Sequence, residues 1–153
     1  MNPYQDLTSY LKIVYQNLGT LHHNLVGKSF FVIHPLLGEW YNEIGEMTDD
    51  LIERGIPLGF AEPSIKDAVL AYTNDLLGVE NRECEDTIIL ARDNFINIIE
   101  KMTTAKDGLP VDVQNKIDEY IYYLRKEADY KMGQYLGGMK NTATVDIDEI
   151  ISI

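Results

Sequence analysis

The sequence predicts an all-α protein, a bundle of four helices in which one long connection joins the second helix to the third. Four segments carry apolar residues at the three- and four-residue spacing of a helix face. The connections inside the first and the last helix pair are short, whereas residues 55–80 between the pairs are interrupted by proline and glycine. Short connections join antiparallel neighbours, so the long segment is predicted to cross over the bundle.

The first pair of helices is predicted from two apolar stripes. The first stripe consists of Leu7, Leu11, Val14, Leu18, Leu21 and Leu25, and Gly27 follows it. The second helix is expected to open at His34-Pro35, because proline suits the first turn, and to end before Gly55 and Pro57. Its stripe consists of Leu37, Tyr41, Ile44, Met47 and Leu51.

The long connection is predicted to hold one short helix, from Ser64 to Tyr72. A third long helix is expected from about Arg82 to Thr103, followed by a turn at residues 107–110. The fourth helix is expected to begin near Val111 and to end before Gly137-Gly138. No strand pattern interrupts this part of the chain, so none is predicted.

Four helices with one long crossover that contains a short helix follow the ferritin-like bundle plan. We therefore expect residues 1–137 to form one ferritin-like four-helix domain and residues 138–153 to form a C-terminal tail. The tail has alternating apolar residues at Val145 and Ile147 and an apolar end. This pattern fits a strand, a peptide that contacts a neighbouring subunit or partner, or a disordered segment.

The composition restricts the compartment and the partners. The chain has 25 acidic and 13 basic residues, a net charge of -12, and one cysteine, Cys84. One thiol excludes an internal disulfide, no apolar run is long enough to span a bilayer, and residues 1–6 lack the pattern of a secretion signal. We therefore expect a cytoplasmic protein without membrane contact. The acidic field attracts cations and repels phosphate, so direct DNA binding is not expected.

Histidines and paired carboxylates make a metal site the main functional hypothesis. The three histidines are His22, His23 and His34, and all flank the predicted junction of the first two helices. Asp49 and Glu53 stand four residues apart on the second helix, so they share one face. Imidazole and carboxylate together suit borderline divalent metals. Each feature is also common on solvated surfaces.

The spacing along the second helix decides how such a site is built. His34 and Asp49 are fifteen residues apart, which corresponds to about 22 Å along a helix. One chain therefore cannot use both residues for the same ion. Two antiparallel copies related by a two-fold axis bring His34 of one copy to the carboxylates of the other and create two identical sites.

One region of the sequence resembles the signature of the Dps family, the DNA-protecting mini-ferritins of starved cells. The resemblance is carried by the run HHNLVGKSFFVIH at residues 22–34 and by DDLIER at residues 49–54. The helix plan, the short crossover helix and the segment EADYKM at residues 127–132 are also similar, so the resemblance covers residues 4–137.

The resemblance implies a homo-oligomer, a hollow dodecamer with an iron-oxidising centre at each two-fold interface. Fe(II) is oxidised there, with hydrogen peroxide or dioxygen as the oxidant, and ferric iron is stored inside the shell. On this mapping His22 and His34 come from one subunit, and Asp49 and Glu53 come from its partner. Iron is the implied metal, while zinc or manganese would suit the same donors.

The sequence departs from the family pattern at three places. The family usually has an acidic ligand four residues after the second histidine, where this chain has Gly38. Glu39 is adjacent but is turned by about 100° on a helix, and His23 replaces the family's frequent tryptophan. His23 and Glu39 are therefore additional candidate ligands. The Lys/Arg-rich tails by which some members coat DNA are also missing, since the first basic residue is Lys12.

These departures leave two alternatives to a working ferroxidase. Without an acid at position 38, the protein is interpreted as a shell-forming structural or binding protein with an impaired site. The other alternative is DNA protection in which divalent cations bridge the acidic shell and the phosphates.

Overall fold

A computed structural model describes residues 1–138 of the chain, so the predictions for the tail lie outside the described residues. The main helices are α1 (Pro3–His23), α2 (Phe30–Gly55), α3 (Ile65–Ala71), α4 (Cys84–Ala105) and α5 (Val111–Arg125). A π-helical turn (Lys126–Met132) and α6 (Gly133–Tyr135) continue α5. Short 3-10 turns lie at Ile56–Leu58 and Thr73–Asp75, and two strands lie at Leu25–Val26 (β1) and Arg82–Glu83 (β2).

The predicted four-helix bundle with its long crossover is confirmed. The apolar stripes of α1, α2, α4 and α5 face one another, and their central side chains are completely buried; Leu11, Leu37, Phe95 and Ile117 are examples. The short crossover helix α3 lies within the predicted interval and packs against α1. Within residues 1–138, no helix has the length and apolar character needed to cross a membrane.

The start of α2 differs from the prediction. The helix begins at Phe30, about one turn before His34-Pro35, so Pro35 lies inside it. Proline removes only the hydrogen bond to the carbonyl of Phe31, four residues earlier. Because Phe31 is 88% exposed, water can satisfy that carbonyl. His34 therefore lies inside the helix, one turn after Phe30.

Two short strands were not predicted. β1 pairs with β2 in parallel, with Leu25 opposite Arg82 and Val26 opposite Glu83. The pairing delays the start of α4 from the predicted Arg82 to Cys84. Strands of two residues are too short to show alternation in a sequence. They matter here because β1 ties the end of α1 and the start of α2 to the start of α4.

The crossover is attached to the bundle by buried polar groups. Asn17, in the middle of α1, donates from Nδ2 to the carbonyl of Asp75 at 2.9 Å. Its Oδ1 accepts from the backbone N–H of Leu77 at 3.0 Å. Lys101 donates to the hydroxyl of Tyr72 at 2.6 Å. These bonds satisfy a buried amide and fix the path of the long connection across α1 and α4.

The last helix contains a π turn that the sequence pattern did not predict. The N–H of Gly133 donates to the carbonyl of Ala128, five residues earlier. The same carbonyl accepts from Nε of Arg92 on α4 at 3.1 Å. Glu127 is buried within this turn, and its Oε1 accepts from Lys131 at 2.9 Å. The wider turn keeps the helix running to Tyr135 while changing which side chains face α4.

Candidate metal centre

Two of the predicted ligands meet at the junction of α1 and α2. His22 lies in the last turn of α1, and His34 lies near the start of α2. Their imidazole rings are stacked, with centroids 4.0 Å apart and an interplanar angle of 17°. His23 meets His22 edge-on, with centroids 5.6 Å apart. The twelve-residue spacing of the sequence therefore becomes a direct contact between two potential metal ligands.

Phe30 continues this stack. Its ring lies 4.7 Å from the ring of His34, at an angle of 21°. Since His22 and Phe30 both stack on His34, they cover opposite faces of its imidazole. Both faces of the His34 ring are therefore in contact, and rotation of the ring about χ2 would break both contacts. Sequence reasoning missed Phe30, because the predicted helix opened at His34 and therefore left Phe30 outside it, whereas the helix begins at Phe30.

His22 has the properties of a ready nitrogen ligand. Burial lowers the pKa of His22, and the neighbouring His34 and His23 lower the pKa further. The neutral imidazole is the form that binds metals. Nδ1 of His22 is buried and has no hydrogen-bond partner among residues 1–138. Buried polar atoms are normally paired, so an unpaired nitrogen is the strongest local indication of an absent ligand.

Gly38 lies directly beside this histidine. A Cβ atom built on Gly38 would stand 3.2 Å from Cε1 of His22 and 3.8 Å from Nδ1. Position 38 therefore faces the imidazole, as the resemblance requires of an acidic ligand there. Glycine leaves this position without a side chain, so the site has one carboxylate fewer than the family pattern.

Glu39 does not replace the missing acid in this arrangement. The hydrogen bond from Lys131 to Glu127 raises the pKa of Lys131, and Glu39 adds to this effect. Glu39 therefore lies on the side of α2 that faces the last helix, whereas Gly38 faces α1. The structure does not bring Glu39 to His22.

The two predicted carboxylates lie toward the other end of α2. Asp49 and Glu53 are both exposed. Asp49 borders a cavity of about 600 Å³ beside Lys12 and Tyr15. Glu53 borders a separate cleft of about 470 Å³ beside Arg54. Within residues 1–138 of one chain, no three metal-binding side chains converge on a point.

The carboxylate next to Asp49 is already occupied. Both oxygens of Asp50 accept from Nε of Arg54, at 2.9 and 3.0 Å. The hydroxyl of Tyr120 on α5 also donates to Asp50. Burial raises the pKa of Tyr120, and the hydrogen bond to Asp50 raises the pKa further. Asp50 thus joins α2 to α5, while Asp49 remains exposed to solvent on another side of α2.

The geometry of the histidine pair favours two ions rather than one. The lone pair of an imidazole nitrogen lies in the plane of its ring. Two nearly parallel rings with centroids 4.0 Å apart direct their lone pairs along separate planes. A metal–nitrogen bond is about 2.0–2.1 Å long, so one ion cannot lie in both planes. His22 and His34 would therefore hold separate ions, each through one imidazole nitrogen.

Comparison with known proteins supports the fold. No protein-family model matches the sequence, and a search of curated protein sequences finds no match. Among solved structures, Dps from Vibrio cholerae O1 superposes with a TM-score of 0.79 at 20% identity, covering 88% of this chain and 87% of that chain. Mycobacterium smegmatis Dps gives 0.78 at 19% identity, covering 88% and 85%. A Bacillus brevis Dps gives 0.79 at 16%, covering 88% and 92%.

These similarities define the class of protein by its architecture: the chain has the ferritin-like four-helix fold. Within that class, the fold is that of the Dps proteins, as the sequence resemblance implied. The Vibrio cholerae protein is described as a member of a broad superfamily of ferritin-like diiron-carboxylate proteins.

Proposed function

We propose that this protein is a Dps-like mini-ferritin that binds Fe(II) at sites shared by two subunits, oxidises it, and stores ferric iron in a closed shell. The observation that carries the proposal is the His22–His34 stack, with an unpaired buried nitrogen on His22 and position 38 beside it. By this proposal His22 and His34 bind iron from one subunit, and Asp49 and Glu53 bind it from the partner. The shell is a dodecamer in the cytoplasm.

A shared site accounts for the positions of the four ligands. His34 and Asp49 lie toward opposite ends of α2, about 22 Å apart along the helix axis, and His22 lies beside His34 at the end of α1. A two-fold axis perpendicular to α2 places the histidine end of one copy against the carboxylate end of the other. Each pair of copies then contains two complete ligand sets. Asp49 and Glu53 are exposed and therefore accessible to such a partner.

The chemistry of the donors suits iron oxidation. Imidazole and carboxylate bind iron in both oxidation states. Two Fe(II) ions together give up two electrons, and one hydrogen peroxide molecule takes up those electrons and two protons to form two water molecules. No hydroxyl radical is released when both electrons arrive together. Consumption of peroxide in this way protects the cell from oxidative damage.

The charge of the assembly favours cation uptake. Twelve copies of a chain with a net charge of -12 carry -144. Such a field concentrates Fe(II) near the shell and repels nucleic-acid phosphates. We therefore propose no direct DNA contact.

Gly38 supports a second candidate function. Because this position faces His22 without offering a ligand, the site has fewer carboxylates than the family pattern. A shell-forming structural or binding protein, retaining weak affinity for zinc or another divalent metal, is the alternative. Protection of DNA through bridging cations is a variant of it, and a gel shift that requires added divalent metal would support that variant.

The test is anaerobic loading of the purified assembly with Fe(II), followed by hydrogen peroxide, with ferric absorbance as the readout. We expect rapid oxidation with iron retained in the shell fraction. The double variant His22→Ala/His34→Ala should reduce the rate to that of buffer. The matched control is Phe31→Ala, because Phe31 is 88% exposed and stacks on neither histidine. Oxidation no faster than in buffer by the unmodified protein would contradict the ferroxidase and leave the structural alternative.

A further inference from the structure

The buried carboxylate of Glu127 is only half satisfied. Its side chain lies in the π turn and is 9% exposed. Oε1 accepts a hydrogen bond from Nζ of Lys131 at 2.9 Å. Oε2 is buried and has no hydrogen-bond partner among residues 1–138. An unpaired carboxylate oxygen is costly to bury, so Oε2 requires a proton, a water molecule or a cation.

The helices α2 and α5 run in opposite directions beside this carboxylate. β1 and β2 bring the starts of α2 and α4 together, so these two helices point the same way, and α5 returns after a short turn. The hydrogen bond from Tyr120 to Asp50 sets the register between α2 and α5. Glu43 precedes Asp50 by seven residues, and Glu127 follows Tyr120 by seven. Seven residues are about two helical turns, so Glu43 and Glu127 lie at the same level on facing sides.

A third carboxylate, Glu39, belongs to the same group. It precedes Glu43 by about one turn on the same face of α2. Burial raises the pKa of Tyr123, and three carboxylates raise the pKa further, those of Glu127, Glu43 and Glu39. The hydrogen bond to Glu127 raises the pKa of Lys131, and Glu39 adds to this effect. Three carboxylates therefore lie around one ammonium group, and negative charge is in excess.

We propose that Glu127, together with Glu39 and Glu43 of α2, binds a partly hydrated divalent cation of the Mg²⁺ class between α2 and the π turn. The unpaired Oε2 of Glu127 is the buried ligand atom, and the two exposed carboxylates contribute directly or through water molecules held by the ion. This site goes beyond the proposed function, because it uses none of the four iron ligands and needs no partner subunit.

The donor set determines the class of cation. The group offers only oxygen ligands, which hard cations such as Mg²⁺ and Mn²⁺ prefer. Mg²⁺ usually keeps several water molecules and is bound through one or two carboxylates. Such a site therefore does not need three side chains that converge on one point. The position of Glu127 is fixed from the other side, because Nε of Arg92 donates to the carbonyl of Ala128 at 3.1 Å.

Lys131 is the natural competitor of the ion. Among residues 1–138, it forms the only ion pair of Glu127, and its side chain is 47% exposed. The ammonium group can therefore move into solvent, whereas the buried carboxylate of Glu127 cannot. A divalent ion brings one more positive charge than the ammonium and also reaches Oε2. Removal of the lysine charge is therefore expected to favour binding of the ion.

Mn(II) binding tests the site, because Mn(II) takes the same oxygen ligands as Mg²⁺ and its paramagnetic resonance signal separates free from bound ions. The parent is the assembled His22→Ala/His34→Ala variant, so the histidine centre does not contribute. We expect a tight class of one Mn(II) per subunit that excess Mg²⁺ displaces. Glu127→Gln should weaken this class at least about tenfold.

The matched control is Glu119→Gln, which makes the same change of charge on α5 outside the group. Glu119 is exposed and bonds to Lys116 at 3.1 Å. Its substitution should leave the affinity for Mn(II) unchanged. An affinity that Glu127→Gln leaves at the level of the parent, or a loss equal to that in Glu119→Gln, would overturn the proposal.

A second variant decides the question if Glu127→Gln loses its helical circular dichroism. Lys131→Met removes the competing ammonium group and should tighten Mn(II) binding at least about threefold. Added Mg²⁺ should also raise the urea midpoint of Lys131→Met more than that of the parent. A Lys131→Met protein that binds Mn(II) no more tightly than the parent would overturn the proposal, because Glu127 would then serve only as the partner of a lysine.

The result does not depend on iron oxidation. Tight Mn(II) binding that Glu127→Gln abolishes, in a protein that does not oxidise Fe(II) when its histidines are intact, would support this site and contradict only the ferroxidase. Iron oxidation without a tight class of Mn(II) would support the ferroxidase and overturn this site.

Discussion

The two ends of α2 differ in how completely one chain builds them. At the start of α2, His34 is enclosed between Phe30 and His22, and Nδ1 of His22 is buried without a partner. Toward the end of α2, Asp49 and Glu53 are exposed and project toward solvent. The histidine half is therefore rigid before any partner binds, and the carboxylate half is accessible. A site assembled between subunits needs both properties, because rigid ligands set the geometry and exposed ligands reach across the interface.

The largest effect on metal binding is expected from a substitution at the carboxylate end of α2. Asp49→Asn should weaken Fe(II) or Co(II) binding about 100-fold, since a charged oxygen ligand is lost, while stability changes by less than about 0.5 kcal/mol. Metal titration and urea unfolding measure the two effects. An Asp49→Asn protein that binds metal as tightly as the unmodified chain would remove Asp49 from the site.

At the histidine end of α2, Phe30 holds the ring of His34 in place. Phe30→Leu removes the flat ring that covers His34, so metal affinity should fall about tenfold, in the range measured for residues that orient ligands. Phe30→Tyr keeps the ring and should restore affinity. Phe31→Leu is the control, because Phe31 is 88% exposed and stacks on neither histidine. Affinity unchanged by Phe30→Leu would show that the stack does not position His34.

Gly38→Asp sharpens the comparison by giving the histidine end its own carboxylate. We expect metal affinity to rise about tenfold, or about 1.4 kcal/mol, and iron oxidation to become faster. The gain requires the ring of His22 to shift by a few tenths of an ångström, because the new Cβ stands 3.2 Å from Cε1. Gly38→Ala is the control, because it adds the Cβ that shifts the ring of His22 without adding a carboxylate. If Gly38→Asp and Gly38→Ala change metal affinity equally, a carboxylate at position 38 does not bind the metal.

The smallest effect on metal binding is expected at Asp50. Asp50→Asn weakens the bonds to Arg54 and Tyr120 and should lower the free energy of unfolding by about 1–2 kcal/mol, measured in urea. Metal affinity should stay within about twofold of the unmodified chain. A large loss of metal affinity with unchanged stability would instead assign metal binding to Asp50 and the structural role to Asp49.

The helices were predictable because their apolar stripes repeat over many turns. The start of α2 was not, since proline favours the first turn of a helix, whereas Pro35 lies inside α2 and removes a hydrogen bond to the carbonyl of the exposed residue Phe31. The strands at Leu25–Val26 and Arg82–Glu83 are too short to show a period. The π turn at Lys126–Met132 depends on Arg92 from α4, a contact between distant segments that a local pattern does not contain.

The candidate site, like the fold, could be predicted from the sequence only in part. The family resemblance implied His22 and His34 as two ligands from one subunit, and the structure stacks their rings, while their binding of metal remains a prediction. The role of Phe30 follows from ring geometry and was missed. Asp49 and Glu53 remain predictions, because their proposed partners belong to another copy. The sequence already favoured Asp49 over Asp50, because Asp49 shares a helix face with Glu53, and the structure adds that Asp50 is bound by Arg54 and Tyr120.

The most direct test of the shared site is complementation between two inactive variants. His22→Ala/His34→Ala subunits and Asp49→Ala/Glu53→Ala subunits are each expected to oxidise Fe(II) no faster than buffer. Mixed and reassembled in equal amounts, half of the pairs contain both variants, and each such pair holds one complete ligand set. The mixture should therefore recover about a quarter of the activity of the unmodified protein. A mixture that stays inactive, after mass analysis confirms mixed pairs, would contradict a site shared between subunits.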